Sequence, residues 1–157
     1  QRVILPIGRP TPAVNDRDSR LAPQEVFSAG ADESLILDVG VYVMEATGVI
    51  IYVVGNNKIY TTALTSALEG ITRDTVITLI KELGIELVEK RITRDEVYIA
   101  DEVFFTGTAA EVTPVRELDN RTIGSGKRGP VTEKLQSLYF DCVLGRHQAH
   151  RDWLTPI

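Results

Sequence analysis

The stretch best suited to chemistry is Phe104-Phe105-Thr106-Gly107-Thr108-Ala109-Ala110-Glu111-Val112-Thr113-Pro114-Val115. An apolar run stops at Gly107-Thr108-Ala109-Ala110, and β-branched character then resumes. Small residues let the backbone N–H groups of such a turn come close to a ligand. The hydroxyls of Thr106 and Thr108 add uncharged donors. Amides and hydroxyls together suit an anion, a phosphate or a carboxylate, without a formal positive charge. Taken alone, a small-residue turn between strands is more often only a turn.

Other reactive residue types stand apart from this stretch. Glu45 is a lone acid in the apolar run Val41-Tyr42-Val43-Met44-Glu45-Ala46. A buried carboxylate needs a partner, and by pattern Glu45 reads as an outward-facing residue of a half-exposed strand. Cys142 lies within Leu138-Tyr139-Phe140-Asp141-Cys142-Val143-Leu144 and reads as buried packing rather than a nucleophile. His147 and His150 are three apart in a polar tail with no acidic or cysteine company, so no metal site is expected there. The loop Gly124-Ser125-Gly126-Lys127-Arg128-Gly129 lacks the spacing of a Walker phosphate loop.

The elements that must position these residues follow from the pattern. A 157-residue chain with 43% hydrophobic and 25% charged residues suits one globular domain with a real core. A net charge of −5 with no basic stripe does not suit nucleic acid or an anionic membrane as partners. No apolar run approaches a membrane span, no signal peptide is visible, and the single cysteine fits a reducing compartment, so the expected location is the cytoplasm. Val3 to Ile7 reads as a strand, Arg9 to Ala22 as a loop, and Pro23 to Ala29 as a short helix. Strands at Ser34–Asp38, Val41–Ala46, Val49–Val54 and Lys58–Thr62, with Gly/Asn turns, suggest an antiparallel meander. A helix with Thr72 as N-cap runs to Gly84 as C-cap, Val76, Ile77, Ile80 and Leu83 recurring at helical spacing. Ile85 to Arg91 alternates as a strand. Thr93-Arg94-Asp95-Glu96 is a capping box opening a short helix through Ala100. Glu117 to Ile123 reads as a hairpin. Pro130 starts a last helix whose apolar stripe is Val131, Leu135, Leu138, Tyr139 and Cys142, ending at Gly145.

From Gly70 onward the sequence resembles the fold-type IV pyridoxal-phosphate aminotransferases, in particular the branched-chain amino-acid aminotransferases. The match is carried by Gly70-Ile71-Thr72-Arg73, Arg94-Asp95-Glu96-Val97-Tyr98-Ile99-Ala100-Asp101-Glu102-Val103-Phe104, Gly107-Thr108-Ala109-Ala110-Glu111-Val112-Thr113-Pro114-Val115-Arg116 and Gly129-Pro130-Val131-Thr132. It extends more weakly to Gly30-Ala31-Asp32-Glu33 and Glu45-Ala46-Thr47-Gly48. The resemblance implies an α+β fold, the large domain of the D-amino-acid-aminotransferase-like type, with mostly antiparallel strands curled into a pseudo-barrel and flanked by helices. Residues 1–157 would form that single cofactor-binding domain, with 1–29 weakly matched and the family's small N-terminal domain absent.

The resemblance also implies roles. Pyridoxal 5′-phosphate would place its phosphate against the N–H groups of Ile71 and Thr72 and the hydroxyl of Thr108. Glu45 would face the pyridine nitrogen and keep it protonated. Gly48 and the backbone of Gly107, Thr108, Ala109 and Ala110 would take the substrate carboxylate. The implied reaction moves the amino group of leucine, isoleucine or valine to 2-oxoglutarate, in a homodimer or higher oligomer, or together with a separate chain that carries the small domain.

The sequence departs from the family at the lysine that holds the cofactor covalently. An ungapped count sets Thr11 at that position and Asp16 at the position of a tyrosine, and no lysine precedes Lys58. A threonine has no amine to condense with an aldehyde. The expectation is a chain inactive by itself. The alternatives are a non-catalytic or partial phosphate-binding homologue, or another fold-type IV enzyme such as a D-amino-acid transaminase or an aminodeoxychorismate lyase.

Overall fold

The computed structural model describes residues 2–4, 30–37, 42–46, 49–63 and 70–155. The expected helix at Pro23–Ala29 lies outside these residues. Six strands form one sheet: β1 (Arg2–Ile4), β2 (Glu33–Leu37), β3 (Tyr42–Ala46), β7 (Ile92–Thr93), β10 (Glu117–Leu118) and β11 (Arg121–Thr122), in the order β11-β10-β1-β2-β3-β7. The second sheet has five: β4 (Ile50–Gly55), β5 (Lys58–Thr61), β6 (Glu86–Glu89), β8 (Glu102–Gly107) and β9 (Glu111–Val115), in the order β6-β5-β4-β8-β9. Helices α1 (Ile71–Glu82) and α3 (Pro130–Val143) pack on the second sheet, and α2 (Arg94–Tyr98) links β7 to β8. Pairing is mostly antiparallel; β1 with β2 and β10, and β5 with β6, are the parallel exceptions. The α+β class and antiparallel bias expected from the sequence hold. Among the described residues both sheets are open in strand order and close no barrel.

The expected meander is split between the two sheets. β2 pairs with β3 and β4 with β5, but β3 pairs onward with β7 and β4 with β8. The cause is the apolar character of both faces of β4 and β8. Ile51, Val53, Val103 and Phe105 face the first sheet and join Leu35, Val43, Ile92 and Leu118. Tyr52, Val54 and Phe104 face the helices and join Val76, Leu79 and Ile80 of α1 and Leu135, Tyr139 and Cys142 of α3. A strand apolar on both faces belongs in a central layer, because only there does each face meet cover. Phe104 and Phe105 are each about fully buried, and each such side chain contributes roughly 1.5–3 kcal/mol of transfer free energy.

Local chemistry sets the element ends. The β4–β5 turn has Asn56 and Asn57 at φ 53 and 59, and the β10–β11 turn has Asp119 and Asn120 at φ 49 and 60. Both are two-residue hairpin turns of the type that requires left-handed backbone, which Asn and Asp tolerate. The expected capping box of α2 is present: Glu96 N–H donates to Thr93 Oγ1, and Thr93 N–H donates to Glu96 Oε2. For α1, Thr72 is not the N-cap. The helix begins at Ile71, and Gly70 caps it with extended backbone and no side-chain hydrogen bond. Its other end is capped by Leu83, with Gly84 following in left-handed backbone.

The start of α3 explains Gly129-Pro130-Val131-Thr132. The carboxylate of Glu102 accepts hydrogen bonds from Val131 N–H (3.0 Å), Thr132 N–H (2.8 Å) and Thr132 Oγ1 (2.7 Å). A Cβ on Gly129 would lie 2.1 Å from Glu102 Cδ, so only glycine admits this approach. Pro130 occupies the first helical position, where its missing N–H costs nothing.

Candidate anion site at the start of α1

The turn Thr108–Ala110 joins β8 to β9, with Thr106 paired to Val112 and Gly107 to Glu111. Glu111 has φ 52, an uncommon value for a non-glycine residue that here lets the chain close a three-residue turn. Thr113 Oγ1 donates to Ala110 O at 2.6 Å and ties off a carbonyl of the turn. Thr108 and Ala109 are exposed, while Gly107 and Ala110 are half-buried. By sequence Thr106 groups with Thr108 as a donor of the turn. The end of the strand separates them: Thr106, still in β8, shares the face of Phe104 and is fully buried, whereas Thr108 has left the strand for the turn and is exposed.

The first turn of α1 packs on the same end of β8. Asp74 N–H donates to Gly70 O at 3.1 Å, which leaves the N–H groups of Ile71, Thr72 and Arg73 without an intrahelical partner. Arg73 is 4% exposed, and its Nη2 lies 3.3 Å from Glu89 Oε1. Tyr52 stacks on Phe104 with ring centroids 4.9 Å apart, and beside its hydroxyl stand Thr106 and the Arg73 charge. Burial pushes the Tyr52 phenol up to about 12. Among the described residues Arg73 Nε has no hydrogen-bond partner, and the Tyr52 and Thr106 hydroxyls have none beyond each other.

This arrangement is electrostatically unusual. The start of a helix carries the positive end of its dipole, so a cation there is normally unfavourable. Here a buried guanidinium sits in the first turn, and that turn has no side-chain cap. The Arg73 charge is met by Glu89, and Asp74 is the acid of the same turn, while the N–H groups of Ile71 and Thr72 have no intrahelical partner. Arg73 and its buried neighbours Tyr52 and Thr106 are not among the site residues read from the sequence. The sequence signal was an arginine directly after the expected cap, where basic residues are disfavoured.

Of the residues proposed from sequence, the fold brings Ile71, Thr72, Gly107, Thr108, Ala109 and Ala110 to one end of the second sheet. Ile71 is 86% exposed at the helix start, an apolar side chain left facing solvent. Glu45 has its backbone in β3, in the other sheet. The side chain of Glu45, together with Thr11 and Gly48, lies outside the described residues. A cleft of about 550 Å³ runs along the outer side of α1 past Thr72, Thr75 and Thr78 to Tyr139 and Trp153, and does not include the Thr108 turn.

The structure thus sets a helix start without a side-chain cap and a small-residue hairpin on a two-sheet α+β scaffold. Comparison with known proteins gives its class: residues 12–118 match the family "Amino-transferase class IV", and the chain belongs to that family. It is 60% identical over 140 residues to the branched-chain-amino-acid aminotransferase of Pseudomonas aeruginosa, covering 89% of this chain and 46% of that protein. It is 50% identical over 142 residues to a probable branched-chain-amino-acid aminotransferase of Aquifex aeolicus, with 89% and 46% covered. Among solved structures it superposes with a TM-score of 0.91 and 44% identity on a T.th. branched-chain amino acid aminotransferase complexed with N-(5′-phosphopyridoxyl)-L-glutamate, covering 98% of this chain and 55% of that one. The chain thus spans about half the length of the relatives it matches. Among the described residues no helix is long and apolar enough to cross a membrane.

Proposed function

We propose that this chain is the large, cofactor-binding domain of a branched-chain aminotransferase that uses pyridoxal 5′-phosphate. The single observation that carries the reading is the uncapped start of α1 over buried Arg73, a cradle for a phosphate, on a chain 60% identical to such an enzyme. The phosphate end of the cofactor fits the residues present. Ile71 and Thr72 would hold it through N–H groups and Thr108 through its hydroxyl. Gly107, Ala109 and Ala110, with Gly48, would bind the substrate carboxylate through backbone donors. Glu45 would hold a proton on the pyridine nitrogen. When bound, the cofactor supplies a ring that carries the amino group from leucine, isoleucine or valine to 2-oxoglutarate.

The aldehyde end does not fit this chain. Thr11 stands at the position of the anchoring lysine, and no lysine precedes Lys58. No catalytic step is therefore assigned to residue 11, and the chain alone is expected to bind the cofactor without turning over. That observation also favours a second reading, a non-catalytic partner that holds phosphate ligands. A homo-oligomer, or a complex with a chain bearing the small domain, belongs to the first reading, as does a cytoplasmic location suited to the single buried Cys142.

The test uses pyridoxamine 5′-phosphate, which needs no lysine. Calorimetric titration is expected to show binding, and Thr108→Val to weaken it about five- to tenfold, the loss of one hydrogen bond of roughly 1–1.5 kcal/mol. Absence of binding would refute the cofactor role. Turnover of leucine with 2-oxoglutarate by the chain alone would refute its inactivity.

A further inference from the structure

The far end of α1 meets a cluster that has no part in the reading above. Residues Gln148–Trp153 form a 3-10 segment kinked at His150 (φ −123°, ψ 24°), with His147 as its N-cap. The rings of His147, His150 and Trp153 stack: centroids are 4.9 Å apart between the histidines and 3.7 Å between His150 and Trp153. The backbone before them is tied down. Gly145 N–H donates to Cys142 O, and the N–H groups of Arg146 and His147 both donate to Asp141 O at 2.8 and 3.0 Å. Gly145 supplies the left-handed residue (φ 69) that this helix ending requires. Glu82, the last residue of α1, reaches across: its Oε1 lies 2.8 Å from His150 Nε2. Ligand atoms of Glu82, His147 and His150 all lie within 4.8 Å of one another. His150 is buried, and among the described residues the buried His147 Nδ1 has no hydrogen-bond partner. The sequence shows the two histidines no acidic neighbour; the fold brings one from 68 residues away.

We propose that Glu82, His147 and His150 form a site for a divalent transition-metal ion of the zinc class, which fastens the C-terminal turn to the end of α1. Two imidazoles and one carboxylate are a zinc donor set, with a fourth position left for water. Imidazole nitrogen selects zinc, copper or nickel over calcium or magnesium. Donor atoms around a tetrahedral ion with bonds near 2.1 Å stand roughly 3.3 Å apart. The present spread reaches that by small side-chain rotations, and Glu82, 41% exposed, has room to make them. The helix dipole favours a cation at this end. The site is separate from the anion cradle: a helix of 12 residues puts about 18 Å between its ends.

The test titrates zinc chloride into the full-length, chelator-stripped protein by calorimetry, and follows Trp153 emission during titration with copper(II), with Trp153→Phe as the blank. The expected result is one zinc per chain, with His147→Ala and Glu82→Gln each weakening binding at least about tenfold while far-ultraviolet circular dichroism is unchanged. Copper(II) is expected to quench the emission that Trp153→Phe lacks. Zinc affinity unchanged in both variants, or no zinc bound, would overturn the proposal. Because Glu82→Gln keeps the side chain's size, a loss confined to His147→Ala with altered circular dichroism also counts against it.

Discussion

The starts of α1 and α3 pose the same physical problem and solve it differently. Each begins after a glycine in extended backbone that offers no side-chain cap. At α3 the orphan N–H groups are satisfied from inside the protein by the buried carboxylate of Glu102. At α1 no side chain fills that role, and a buried cation, Arg73, adds to the positive end of the dipole instead. A helix start closed by its own carboxylate is a structural joint. At the start of α1 no side-chain cap hydrogen bond is made. In the proposed reading a ligand phosphate would supply to Ile71 and Thr72 what Glu102 supplies to Val131 and Thr132.

The largest expected effect breaks the closed end. Glu102→Ala leaves two N–H groups and the Thr132 hydroxyl short of partners in a buried place, and should lower the unfolding free energy by about 2–4 kcal/mol in denaturant titration. A loss below about 1 kcal/mol would mean water replaces the carboxylate readily. At the open end, Arg73→Met should behave in the opposite way. Replacing a buried cation by an apolar side chain of similar volume is often near neutral for stability. Binding of pyridoxamine 5′-phosphate should nevertheless fall about tenfold, roughly 1.4 kcal/mol. Equal affinity in wild type and variant would remove Arg73 from the cradle. Gly70→Ser gives α1 the cap it lacks. It should raise the stability of the free protein by only a few tenths of a kcal/mol while weakening phosphate binding, since the new hydroxyl competes for the same N–H groups.

The smallest effect concerns α2, closed by a titratable group. Burial alone would raise the Glu96 carboxyl, but hydrogen bonds from Lys90 and from Thr93 prevail and hold it below the usual range. A depressed carboxyl stabilises the fold above its unfolded pKa and loses that contribution as pH falls through the folded value. Acidification below about pH 4 should therefore cost a small increment, under about 1 kcal/mol after solvent screening, that Glu96→Gln no longer shows. An identical acid profile in the variant would mean that the capping box gains nothing from the charge.

Much of the fold is written locally. The Asn56-Asn57 and Asp119-Asn120 turns, the Thr93–Glu96 box and the helical stripe of α1 depend on neighbours a few residues away, and each stands where its pattern puts it. The Gly107–Ala110 turn was legible as a break of small residues between two strands. The split of the meander was not, because pairing β4 with β8 rather than β3 is decided by which partners cover two apolar faces. The N-cap of α1 was misplaced by two residues, at Thr72 rather than Gly70, since a threonine pattern outweighed a glycine that offers no side-chain cap. Glu102, Arg73 and the Glu82–His150 pair were invisible as contacts, being joined to partners 16 to 68 residues away.

By itself, then, the sequence determined which segments bend, cap and pair with near neighbours. Only the tertiary structure decided that Arg73 would be buried beneath an open helix start, that Thr106 would face inward while Thr108 stays exposed, and that Glu82 would meet His147 and His150. The reason is physical. Propensity and hydrogen bonding within a turn act over a few residues, whereas burial and charge act over ångströms, and it is the packing of the central sheet that turns distance along the chain into distance in space.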